Sequence, residues 1–129
     1  MKNAKEGAGP KTAVDIQRRT FAFAVRIVKL CRHLEEKPGA GRTLSRQLLR
    51  AGTSIGANVE EAQSGTTKAD FIYKVAIALK EARETDYWLR LVAAAQVVPV
   101  ERLRGLKDEA DQLKRILAAI IVSAKNGRN

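Results

Sequence analysis

TLSRQLLRAGTSIGANVEEAQ, residues 43–63, decides the fold, because its spacing dictates a helix and its composition dictates how that helix packs. Leu44, Leu48, Ala51, Ile55, Val59 and Ala62 fall on one helical face, while Arg46 and Arg50 fall on another. Gly52 and Gly56 stand one turn apart inside the same stretch. Glycine in a helix interior costs roughly 1 kcal/mol against alanine, so the pair marks a face that something approaches closely. With Ser45 and Gln63 the glycines form a narrow flank of mostly small residues beside the apolar stripe, a surface that lets a second helix backbone come near.

Upstream, Ile16, Phe23, Ile27, Leu30 and Leu34 recur at heptad-like spacing with Thr20 in the one gap, predicting a helix over about 15–36. Phe21, Ala24, Val28 and Cys31 widen its apolar arc to about half the circumference, more than a single packed seam requires. This helix is therefore expected to touch more than its bundle neighbours. Lys37-Pro38-Gly39-Ala40-Gly41 ends it, since proline disfavours a helical residue before it and the glycines supply unusual backbone angles. The next helix, 43–63, starts with Thr43 as a possible cap.

Downstream, Ser64-Gly65-Thr66 makes a short break, and Thr67 with Asp70 has the spacing of a capping box. Phe71, Val75, Ala78, Ala82, Thr85, Leu89 and Val92 then predict a helix over 67–95. Opposite charges one turn apart, Lys80 with Glu84 and Asp86 with Arg90, support it locally, and Trp88 lies on a second stripe, at a helix edge or a subunit boundary. Pro99 suits the first turn of a last helix, 99–125, whose stripe is Leu103, Leu106, Ala110, Leu113, Leu117, Ile120 and Ala124. Residues 1–12, with Gly7, Gly9 and Pro10 among charges, read as a disordered arm, and 127–129 as a short tail. The domain, 13–126, is all-α: four amphipathic helices with short connections close as an antiparallel up-down-up-down four-helix bundle.

Lys and Arg total 24 against 14 Asp and Glu, a formal charge of +10 with a pI near 10.2. Such an excess attracts polyanions, nucleic acid first and an anionic membrane surface second; the bland alternative is a charge that serves solubility alone. On the first helix Arg18, Arg19, Arg26, Lys29, Arg32 and His33 collect opposite the core stripe. This arc is the candidate anion-binding face, against the reading that its charges pair with acids on neighbouring helices. No apolar run approaches the ~20 residues of a membrane span. The single cysteine excludes an internal disulfide, and the opening MKNAKEGAGPK lacks the apolar core of a secretory signal, so a cytoplasmic protein is expected.

Nothing in the chain assembles a catalytic or metal centre, and no cofactor is expected. A di-iron bundle needs Glu-x-x-His motifs on paired helices, and His33, the single histidine, sits in Arg32-His33-Leu34-Glu35. Cys-x-x-Cys pairs, a phosphate-binding loop and a Ser/His/Asp arrangement are likewise missing. Cys31 reads as a small buried hydrophobe.

The stretch Ser45–Ala62, with Gln47-Leu48-Leu49-Arg50, Ser54-Ile55 and Asn58-Val59-Glu60, resembles the four-helix-bundle proteins encoded by intervening sequences in bacterial large-subunit ribosomal RNA genes. Asp70-Phe71-Ile72, Ala78-Leu79-Lys80-Glu81-Ala82 and Tyr87-Trp88-Leu89 continue the likeness, which covers roughly Asp15 to Lys125. The accessory variability protein of diversity-generating retroelements is similar in length, helix number and charge. The resemblance implies a homo-oligomer, a pentameric ring, that binds RNA or DNA without chemistry of its own and associates with a reverse transcriptase in that one branch. Many relatives follow the Asn-Ile pair with Ala-Glu-Gly, whereas Glu60-Glu61-Ala62 follows Val59 here, so the subgroup and its partner stay open.

Two functions follow. In the first, Arg18, Arg19, Arg26, Lys29 and Arg32 with Arg46 and Arg50 contact phosphates of a nucleic acid, without base readout. In the second, the chain is an oligomeric scaffold or accessory subunit whose apolar faces recruit a protein such as a polymerase.

Overall fold

In a computed structural model of the protein, which describes residues 10–127, four helices follow in order: α1 (Pro10–Leu34), α2 (Ala40–Gln63), α3 (Lys68–Ala94) and α4 (Arg104–Asn126). A single 3₁₀ turn, Val100–Arg102, precedes α4. Each helix packs on its neighbour in sequence and α1 meets α4, so the chain closes as an antiparallel up-down-up-down bundle. Of the arm expected over 1–12, residues 1–9 lie outside the described residues, as do 128–129 of the tail, whereas 10–12 are not an arm but the first turn of α1.

Sequence and structure differ at the helix ends for identifiable reasons. α1 starts at Pro10, ahead of the expected Asp15, because proline has the φ of a first helical residue and lacks an N–H needing a partner. α2 starts at Ala40, so Thr43 is already inside it and Gly39, at φ 124°, takes the cap position. At α3 the capping box is half formed: Thr67 Oγ1 accepts the Asp70 N–H at 3.0 Å, while the Asp70 carboxylate takes the Thr66 hydroxyl. Pro99 opens the 3₁₀ turn and α4 proper begins at Arg104. The chain leaves α3 through Gln96 at φ 58°, the left-handed position after a helix end where glycine is usual.

The heptad residues make the core. Ile16, Phe23, Ile27, Leu48, Ile55, Val59, Phe71, Val75, Leu89, Val92, Leu113 and Leu117 are all buried. Val98 and Leu103, from the connection between α3 and α4, plug the end of the bundle. Thr20 and Thr85 are buried within the stripes at no polar cost, because their hydroxyls donate to Ile16 O and Glu81 O, each at 2.8 Å.

α1 and α2 approach closest through the small-residue flank. A Cβ at Gly52 would lie 2.8 Å from both γ-carbons of Ile27, and one at Gly56 would lie 3.3 Å from the Thr20 carbonyl. One turn further, the Cys31 thiol donates to Ser45 O and the Ser45 hydroxyl to Cys31 O, both at 3.4 Å. Burial raises the Cys31 pKa, which outweighs the opposing effect of Ser45. The sulfur therefore stays a protonated thiol at neutral pH, and a thiol-specific reagent is expected to label native protein far more slowly than urea-unfolded protein; equal rates would show that the α1–α2 pair opens readily.

On the far side, α3 and α4 are tied by charge. Asp86, buried, receives Arg90 at 3.2 Å and Lys114 at 3.3 Å, and Asp111 receives Lys107 at 3.0 Å. Asp86 Oδ1 lies 3.1 Å from Lys107 Nζ at an angle that makes no hydrogen bond, so charge alone holds it. Hydrogen bonding to Lys107 lowers the Asp111 pKa. The Asp86–Arg90 pair read from the sequence forms, whereas Glu84 turns to Arg50 and to the Trp88 N–H instead of Lys80.

Candidate nucleic-acid interface

Antiparallel packing brings the end of α1, the start of α2, the end of α3 and the start of α4 to one end of the bundle. The two connections there touch: a Cβ at Gly41 would meet Val97 Cγ1 at 3.2 Å. That end carries Arg26, Lys29, Arg32, Lys37, Arg42, Arg46, Arg90, Arg102, Arg104 and Lys107 against Glu35, Glu36, Glu101, Asp108 and Glu109, with Asp86 and Asp111 paired to Arg90 and Lys107. At the opposite end Arg18, Lys68, Lys74 and Lys125 are balanced by Asp15, Glu60, Glu61 and Asp70. What sets the first end apart is that Arg26, Lys29, Arg32, Arg46, Arg102 and Arg104 have no ion pair with a described residue.

The arginines and lysine singled out in the sequence divide by what holds them. Arg18 sits at the balanced end and pairs with Asp15 at 2.7 Å. Arg19 grips Glu109 through two nitrogens, at 3.0 and 2.8 Å, and Gln112 at 2.9 Å, which fastens α1 to α4. Its hydrogen bond to Glu109 raises its pKa, so the guanidinium is committed to the fold. Arg50 is spanned by Glu81 and Glu84 across the α2–α3 seam. Arg26, Lys29, Arg32 and Arg46 are exposed, with no ion pair or hydrogen bond to a described residue, and all four lie toward the basic end.

Arg26 and Lys29 share a shallow groove with His33 and Arg102, floored by Leu30, Val98 and Leu106. Gly105 contributes to this geometry by what it lacks. A Cβ there would stand 2.7 Å from Arg26 Nη2, so bare backbone gives the guanidinium room across the first turn of α4. Arg102 is a groove residue that sequence reasoning misses, because the stretch from Pro99 reads as plain helix. A proline followed by Arg102 and Arg104 just ahead of the α4 stripe is the signal that could find it. Free cations flanking an open groove suit phosphates along a backbone, which need charge and reach more than an enclosed pocket.

No group of three or more His, Cys, Asp or Glu residues that could hold a metal occurs among the described residues. No described helix is long and apolar enough to cross a membrane.

The crystal structure of a protein of unknown function from the S23 ribosomal protein family of Bacteroides thetaiotaomicron VPI-5482 is similar to this chain, at 38% identity and a TM-score of 0.80. The match covers 85% of this chain and 97% of that one. No curated protein matches. The profile of the 23S rRNA-intervening sequence protein family matches residues 12–119. With its four helices and its signature stretch inside that span, the chain belongs to the 23S rRNA-intervening sequence protein family.

Proposed function

We propose that the protein is a non-enzymatic binder of nucleic acid, RNA or DNA, whose basic end holds the phosphate backbone. The observation that carries this reading is the grouping of Arg26, Lys29 and Arg102, all without a carboxylate partner among the described residues, around one groove. Arg32 and Arg46 extend the same charge beyond it. The family name, with its reference to 23S rRNA, favours RNA. Sequence-independent contact is the natural mode, because the groove offers mainly cations and aliphatic carbon, and its one ring, the His33 imidazole, lies 3.4 Å from the Glu36 carboxylate.

Affinity for mixed-sequence RNA, followed by fluorescence anisotropy, is expected to fall steeply with salt. About four phosphate contacts correspond to a loss of roughly a hundredfold between about 50 and 200 mM salt. A flat salt response, or no binding at low ionic strength, would overturn the reading.

A homo-oligomer, a pentameric ring by family resemblance, is the second part of the proposal. It rests on the outer face of α1, where Phe21 is 67% exposed and Val14, Val25 and Val28 are exposed beside it. Together with Ala24, and with Thr53, Gly56 and Ala57 of α2, Phe21 borders an open apolar hollow. A patch of this kind marks an interaction surface. Light scattering is expected to give an oligomer for the unaltered chain and a monomer for Phe21→Glu, with the thermal transition of the bundle preserved. A monomeric unaltered chain at micromolar concentration would remove the ring.

A further inference from the structure

Between the last turns of α3 and the first turn of α4 runs a second groove, of about 380 Å³, unrelated to the basic one. Its floor is Leu89 and Leu103, both buried, and its walls include Ala93, half-buried, and Val100, exposed. Arg90, Arg104 and Lys107 stand on its rim. Arg90 and Lys107 share Asp86, and Lys107 shares Asp111 with Lys114, so three cations face two carboxylates in that network. Arg104 adds a charge with no partner among the described residues. The rim is therefore positive after its internal pairing is taken into account.

We propose that this groove is a docking site for an acidic amphipathic helix of a partner protein, one that lays apolar side chains on Leu89, Ala93 and Val100 and carboxylates against Arg104 and its neighbours. Charge complementarity selects the occupant. A second copy of this chain would offer the exposed ridge of α1, but Val25 and Val28 there are flanked by the exposed Arg26, Lys29 and Arg32, which would bring like charge to a rim of Arg90, Arg104 and Lys107. A nucleic acid would satisfy the rim and leave the floor unused, because aliphatic side chains provide no ring on which a base can stack. The floor has the right pitch for a helix: Leu89 and Ala93 are one turn apart, as are the i and i+4 anchors of a helix laid in a groove.

The test is selection from a displayed library of helical peptides of about 16 residues, roughly four turns, on the full-length protein. Enriched peptides are expected to pair apolar residues at i, i+4 spacing with Asp or Glu on the flanks. Val100→Glu is expected to weaken the enriched peptides by at least about tenfold while leaving mixed-sequence RNA binding and the melting transition unchanged, and Arg104→Glu to weaken them by a similar factor with the melting transition unchanged. Enrichment no greater on the unaltered protein than on Val100→Glu, or equal binding of the selected peptides to both, would overturn the proposal. So would selected sequences that reproduce the α1 ridge, which would assign the groove to a second copy. Loss of RNA binding in Val100→Glu would assign it to nucleic acid.

Discussion

Gly52→Val is expected to destabilise the bundle by about 3 kcal/mol or more. Its Cβ would begin 2.8 Å from two carbons of Ile27, which is fully buried and β-branched, so neither the neighbour nor its rotamer can yield cheaply. Relief requires α1 and α2 to separate, and that would also break the exchange of hydrogen bonds between Cys31 and Ser45. Gly52→Ala is the informative control. Alanine gains roughly 1 kcal/mol in helix propensity and loses about 1–3 kcal/mol to overpacking, so a net loss of about 1 kcal/mol is expected. Urea denaturation of the two variants measures both. A stabilised Gly52→Ala would mean that the helix pair has slack at this level.

Reversing Arg26, Lys29 and Arg102 together to glutamate is expected to reduce affinity for mixed-sequence RNA or DNA by roughly a hundredfold or more at low salt and to flatten the salt dependence by about three contacts. The fold should survive, since none of the three holds a carboxylate of another helix among the described residues. Arg18→Glu provides the contrast: it removes a cation of the same helix at the balanced end, where Asp15 already occupies it, and little change in binding is expected. Anisotropy titrations at several salt concentrations separate the cases. Equal losses from both variants would mean that net charge, and not the grouped cations, governs binding.

Helix count, order and core were legible in the sequence because a heptad reports on its own helix. Thr20 illustrates how far that went: the gap it left in the α1 stripe was polar by formula only, its hydroxyl being bonded one turn back. The small-residue flank was equally readable, since two glycines one turn apart weaken a helix unless a neighbour packs against the bare backbone. Which cations are free was not readable. Arg19 and Glu109 are 90 residues apart, and Arg50 and Glu81 are 31 apart, so the pairing that withdraws these arginines exists only once the helices are assembled. The same holds for Arg102, which joins Arg26 and Lys29 across the α1–α4 seam. Val98 is a further case, a valine in an apparent linker that proves to be a plug because the 3₁₀ turn folds it inward.

The gathering of unpaired cations at one end of the bundle also bears on how quickly and in what pose the protein meets a polyanion. Cations left unpaired at one end, with the other end near balance, would give the molecule an electric dipole along its length, on top of its net charge. In the field of a phosphodiester chain such a body experiences a torque as well as a pull, and turns its charged end forward before contact. Encounters would then be productive in a larger fraction of collisions, and the association rate would fall with ionic strength faster than net charge alone predicts. If bundles stand side by side in one sense around a ring, their dipoles add, and a polyanion would meet one continuous positive rim.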